Sequence, residues 1–185
     1  VNTLGVVNFL EGIRSASPGT RLFYAASSRI YGSEPSGIQD ETTPVNPSCV
    51  YGITKAAGLF ACRQYRVHHA VFASVGILYN HESPLRSDNF VSKKIVKAAL
   101  GIKQGLQDGL ELGDLGMEAD WGYAPDYVEA MHRMLAQNEP DDYIVATGEK
   151  HSVREFAKTA FSLLGLDWRR HVRENPALIS RNKCK

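Results

Sequence analysis

Along the chain, hydrophobic and polar positions switch repeatedly between a helical and a strand-like spacing. The opening segment VNTLGVVNFLEGIR carries apolar residues at Leu4, Val7, Leu10 and Ile13, the interval of an amphipathic helix. TRLFYAAS is then a short aromatic and apolar run that predicts a buried strand, with serines at its C-terminal end. The loop GSEPSGIQDETTPVNPS follows; at about 17 residues it exceeds the usual connection, and long loops in compact domains are often functional. From Ser48 to about Tyr65 the period is helical again, with Val50, Thr54, Ala57 and Ala61 in step and Ser48 as the expected N-cap. AVFASVGILYN predicts a second buried strand, which runs into the polar cluster NHESPLRSDNF. A helix over Phe90 to Lys103, a short strand LELGDL and the segment DWGYAP come next. The remainder reads as a helix from Asp126 (DYVEAMHRMLAQ), a strand DDYIVATG, and a helix SVREFAKTAFSLLG whose Ser152 and Glu155 form a capping box. Beyond Trp168 the chain is too polar and aperiodic to assign.

Strands alternating with helices predict an α/β fold, a mostly parallel sheet covered by helices, with sites at the C-terminal ends of the strands. The 185 residues show no repeat and no low-complexity run. Charge narrows the partners. Lys and Arg number 21 against 20 acidic residues, a net charge of +1 that gives no footprint for nucleic acid or an anionic membrane surface. No apolar run approaches the roughly 18 residues of a membrane helix. Cys49, Cys62 and Cys184 form no CxxC pair and no zinc-spaced cluster, so they are expected to be reduced and packed as small apolar residues, with no metal site. A soluble, cytoplasmic protein is the resulting expectation.

The chemistry concentrates in YGITK. Tyr51 and Lys55 are four apart on a predicted helix and share one face, so the ammonium can favour the ionised phenol. Such a tyrosine can take the proton of a sugar or alcohol hydroxyl as hydride leaves the carbon. Ser27, at the end of a strand 24 residues upstream, can hydrogen-bond the same oxygen. His68 and His69, adjacent and therefore divergent, are read as loop residues.

Ser27, Tyr51 and Lys55 together resemble the triad of the short-chain dehydrogenase/reductases. RLFYAASSRIYG, TTPVNPSCVYGITKAAG, GILYNHESPLRSDNFVSKKI, DWGYAPDYVEAM and ATGEKHSVREF resemble, in order from about residue 1 to 160, the extended branch of that superfamily and within it the GDP-mannose 4,6-dehydratases. The resemblance implies the C-terminal part of a Rossmann-type, doubly wound parallel sheet with a small substrate-binding subdomain. Residues 1–80 would be the C-terminal half of the NADP-binding domain, and 81–185 a substrate-binding region interleaved with its last elements. It also implies recycled NADP, GDP-mannose as substrate, GDP-4-dehydro-6-deoxymannose as product, and a dimeric or tetrameric homo-oligomer. Carried over by motif, Tyr51 is the base at the C4 hydroxyl, Lys55 holds Tyr51 and the cofactor ribose, and Ser27 replaces a threonine while keeping the hydroxyl. His81 and Arg86 match cofactor-contacting positions; Asn80, Lys94 and Arg154 match positions facing the sugar nucleotide.

Three positions break the pattern. Arg29 stands where the family has the glutamate that removes the C5 proton; a guanidinium stays protonated and accepts nothing, and loss of a general base costs about 10² to 10⁴ in rate. Ala119 and Leu85 replace arginines. No glycine-rich GxGxxG or GxxGxxG turn occurs, so the nucleotide-binding N-terminal half is expected to be missing. These breaks leave two alternatives beside the dehydratase: a nucleotide-sugar 4-epimerase or 4-keto reductase of the same family, and a catalytically dead paralogue acting as a binding partner.

Overall fold

The computed structural model describes residues 2–32 and 37–179. In chain order its elements are α1 (Leu4–Ala16), β1 (Leu22–Ala25), a 3-10 turn Ser28–Tyr31, α2 (Val50–His69), β2 (Ala73–Leu78), β3 (Asn80–Glu82) and α3 (Val91–Lys103). They continue as β4 (Leu110–Leu112), β5 (Glu118–Ala119), β6 (Trp121–Tyr123), α4 (Ala124–Leu135), β7 (Asp142–Val145), β8 (His151–Ser152), α5 (Val153–Leu163), α6 (Trp168–His171) and β9 (Val172–Glu174). Among the described residues two compact units emerge, one of residues 2–79 with 124–146, the other of residues 80–123 with 147–179.

The first unit is built on a parallel sheet of order β1-β2-β7. Every residue of the central strand β2 is buried, as expected where helices cover both faces of a parallel sheet. Ala73, Val75 and Ile77 share one face and pack with Leu10 and Ile13 of α1 and Leu59 and Cys62 of α2; α4 also packs on the sheet. A side chain such as Leu59 or Ile77, with almost no exposure, contributes about 1.5–3 kcal/mol. The buried stripe of α1 is Val6, Leu10 and Ile13, whereas Leu4 points to solvent, so the helix is rotated slightly from its sequence reading.

Other local expectations shift by a residue or two. Cys49, not Ser48, caps α2, its sulfur accepting from Gly52 N at 3.4 Å. α2 continues through His68 and His69, placing His69 in its last turn with its ring 5.1 Å from that of Tyr65. The helix stops at Ala70, which adopts a left-handed φ of 52°. α4 begins at Ala124, two residues before Asp126. Cys62 is a buried free thiol as expected; Cys49 is not free but disulfide-bonded, and Cys184 lies outside the described residues.

Two polar contacts fasten the outer strand β7. Asp142, buried, accepts from Arg63 Nε and Arg66 Nη2 of α2, both at 2.6 Å. Ile144 N points away from β2 and donates to the Glu41 carboxylate at 2.7 Å, so a loop side chain satisfies a group that no strand reaches.

In the second unit α3 packs on α5 around Ile95, Ala99, Val153, Ala157 and Phe161. The capping box at the start of α5 is present in both directions, Glu155 N donating to Ser152 Oγ and Ser152 N to Glu155 Oε2. The tail that carries no periodicity forms α6 and β9, with β9 parallel to β4 through Leu110↔Val172; of β9's three residues only Val172 is buried, too short a signal to read in sequence. Buried Asp120 accepts from Thr147 N at 3.0 Å and Gly148 N at 2.8 Å, tying the DWG segment to the TGEK turn. Among the described residues no helix is long and apolar enough to cross a membrane, and no group of His, Cys, Asp and Glu is disposed to hold a metal.

The paired arginines on Asp142 make its replacement costly, since two cations then lose their buried counter-charge. Asp142→Ala is expected to lower unfolding stability by on the order of 3 kcal/mol in urea melts; Asp88→Ala, which removes the exposed partner of Lys97, is expected to leave the midpoint where it was.

Candidate active site

The end of β1 gathers the first group of site residues. After Ala25 the backbone turns: Ser27 is extended, its Oγ accepts from Arg29 N at 3.3 Å, and the 3-10 turn begins. Ile30 and Tyr31 anchor the turn in the core, and Tyr31 OH donates to Asp40 O at 3.0 Å. Helix α2 presses on this turn. A Cβ on Gly52 would lie 2.6 Å from Arg29 O, and one on Gly58 would run into the Tyr24 hydroxyl, so only glycine permits the approach at both positions. Tyr51, next to Gly52, is thereby held beside the serine turn with its ring exposed.

Lys55, one turn further, reaches back to the strand. Its Nζ donates to Ala25 O at 2.8 Å and lies 5.7 Å from the centre of the Tyr51 ring and 5.4 Å from that of Tyr24. The pairing of Leu22 N with Phe72 O and Ala26 N with Gly76 O turns residues 22, 24 and 26 towards β2, so Ala25 O points away from β2. Burial pulls the Lys55 ammonium below its ordinary pKa. Tyr24, whose hydroxyl donates to Lys55 O at 3.2 Å, is pushed up by burial to about 12 and stays a neutral donor. Ser27, Tyr51 and Lys55 thus come together at one strand end, with Asn2 Nδ2 and Thr3 Oγ1 bracing Thr54 on the same helix at 3.3 Å each.

The remaining site residues belong to the second unit. Asn80 and His81 lie on β3, paired with Trp121 and Gly122 of β6. Arg86 is half-buried, its guanidinium 3.5 Å from the centre of the Phe90 ring and its Nε 3.2 Å from Glu82, which also accepts from Ser92 Oγ at 2.7 Å. Lys94 is exposed on α3, and Arg154 is exposed in the first turn of α5. Sequence reasoning missed Asp120, Gly52 and Gly58. A glycine within a helical pattern costs about 1 kcal/mol against alanine, and that cost was the available sign of close packing.

A parallel sheet with a serine, a tyrosine and a lysine at the end of its first strand is the frame of the short-chain dehydrogenase/reductase-like proteins. Known proteins agree. The family model of GDP-mannose 4,6 dehydratase matches residues 1–183. GDP-mannose 4,6 dehydratase 1 of Arabidopsis thaliana is 45% identical over 172 residues, 91% of this chain and 47% of its own length. The human GDP-mannose 4,6 dehydratase is 39% identical over 89% of this chain and 45% of its own. The chain belongs to the GDP-mannose 4,6-dehydratase family, and spans a little under half the length of these curated relatives. Among solved structures, RMD from Pseudomonas aeruginosa complexed with NADPH superposes with a TM-score of 0.85 at 25% identity, over 96% of this chain and 64% of that one. UDP-glucose 4-epimerase from Thermus thermophilus in complex with NAD gives 0.79 at 28%, over 95% and 57%.

The raised pKa of Tyr24 has a defined sign: its contribution to stability is complete below about pH 10 and is lost as the pH climbs towards about 12. Lys55, lowered by burial, acts in the opposite sense, so the comparison must be between wild type and Tyr24→Phe. In urea melts the variant is expected to be less stable by about 1 kcal/mol at pH 8 through loss of the bond to Lys55 O, and to show a shallower decline between pH 10 and 12.

Proposed function

We propose that the protein acts on a nucleotide sugar at the C4 hydroxyl, as a GDP-mannose 4,6-dehydratase converting GDP-mannose to GDP-4-dehydro-6-deoxymannose, with NADP as the recycled cofactor. The observation that carries this reading is the placement of Lys55, bonded to Ala25 O and set beside the Tyr51 ring at the strand end where Ser27 begins its turn. A bound nicotinamide dinucleotide supplies a hydride acceptor that later returns the hydride. The residues present fit such a group: an ammonium has three donors, and Lys55 spends one of them on Ala25 O, leaving the others for a ribose.

In this reading Ser27 orients the C4 hydroxyl, Tyr51 takes its proton, and the Lys55 charge favours the phenolate. On the second unit, His81 and Arg86 are assigned to the cofactor, and Asn80, Lys94 and Arg154 to the sugar nucleotide. The stacking of Arg86 on Phe90 and its pairing with Glu82 hold the guanidinium plane in one orientation. The family resemblance further suggests a homo-oligomer, dimeric or tetrameric.

Arg29 favours a second reading. Elimination of water needs a base that a guanidinium cannot supply. Hydride transfer at C4 without elimination serves a 4-epimerase, which oxidises and then re-reduces that carbon, or a 4-keto reductase, which takes hydride from a reduced cofactor, and the solved epimerase likeness at 28% identity is compatible with the former.

The protein incubated with GDP-mannose and catalytic NADP is expected to yield a sugar nucleotide lighter by one water, detected by mass spectrometry. An epimer of unchanged mass would instead establish the second reading. Tyr51→Phe is expected to slow either reaction by about 10² to 10⁴, with nucleotide binding retained.

A further inference from the structure

The geometry points to Arg29 as an anion-recognition residue of this strand-end site, taking an oxyanion of the bound nucleotide sugar; the inference rests on the nucleotide-sugar reading above. Four arginines among the described residues are half-buried: Arg29, Arg63, Arg66 and Arg86. Arg63 and Arg66 share the Asp142 carboxylate, and Arg86 has Glu82 and the Phe90 ring. The Arg29 guanidinium has neither an ion pair nor a hydrogen bond to any described residue, and its backbone N–H is spent on Ser27 Oγ. A partly desolvated cation without a counter-charge is a cost that an incoming anion removes.

Its backbone is also held still. Ile30 is fully buried beside it, Asn46 N donates to Ile30 O at 2.8 Å, Ser27 caps the turn, and Gly52 closes on Arg29 O. The guanidinium therefore extends from a fixed base two residues after Ser27, next to the turn of α2 that carries Tyr51. A planar fork of donors on such a base suits a carboxylate or a phosphate, which it can hold through two parallel bonds. The oxyanion has two possible sources in a nucleotide sugar: the diphosphate, or a carboxylate on the sugar ring.

Calorimetric titration of the full chain and of Arg29→Gln with GDP, GDP-mannose and GDP-mannuronic acid tests the assignment. Loss of a charged hydrogen-bonded pair is expected to weaken binding about 10- to 100-fold. Equal weakening for all three ligands places Arg29 on the diphosphate; weakening for GDP-mannuronic acid alone places it on the sugar carboxylate. Unchanged affinity for all three overturns the inference and leaves the nucleotide-sugar reading standing, whereas wild-type protein that binds none of them overturns both. If circular dichroism shows that Arg29→Gln is unfolded, Arg29→Lys takes its place: the charge stays, the fork is lost, and binding weaker by several-fold supports the assignment while unchanged binding overturns it.

Discussion

The arrangement at the end of β1 depends on how closely one helix can approach one strand. Gly52 and Gly58 remove the two side-chain stubs that would otherwise meet Arg29 O and the Tyr24 hydroxyl. With those stubs absent, α2 settles onto the serine turn and the strand together, and Tyr51 and Lys55 inherit their positions from backbone contact. Tyr24 completes the arrangement from the strand side. Its hydroxyl bonds Lys55 O while the Lys55 ammonium bonds Ala25 O, so helix and strand exchange hydrogen bonds across the contact. The Tyr51/Lys55 pair is thus positioned by packing and by two titrating groups that burial shifts in opposite directions, the Tyr24 hydroxyl up and the Lys55 ammonium down.

Charge is distributed in two different ways over the first unit. At the outer strand, Asp142 and two arginines form a neutralised, largely closed set whose role is to join α2 to β7. At the strand end, Lys55 and Arg29 are cations without a carboxylate partner among the described residues. On the inference above, Arg29 is a recognition element, because the positive fork it carries matches an oxyanion in both charge and shape.

Much of this was legible in the residues themselves. The buried strand around Val75 and Ile77, the Tyr51/Lys55 face and the Ser152/Glu155 cap follow from spacing alone, since each depends on neighbours within one turn or one strand. What escaped depends on partners distant in sequence. β9 is recognisable only through β4, Asp120 only through the amides of Thr147 and Gly148, and the glycines of α2 only through Tyr24 and Arg29. The ends of α2 are set locally: Cys49 sulfur caps the first turn by accepting from Gly52 N, and the helix runs past the histidines until the left-handed Ala70 stops it. The relation of Ser27 to Tyr51 was inferred from a family pattern, and its physical basis, the turn wedged under Gly52, has no signature in composition.

Both outer strands of the three-stranded sheet have a backbone group directed away from their neighbour, and in each case a side chain has taken it: Glu41 on Ile144 N, Lys55 on Ala25 O. Each of these side chains supplies the partner that a strand backbone group would otherwise lack among the described residues, so the same Lys55 ammonium that lies beside the Tyr51 ring also satisfies a carbonyl of β1.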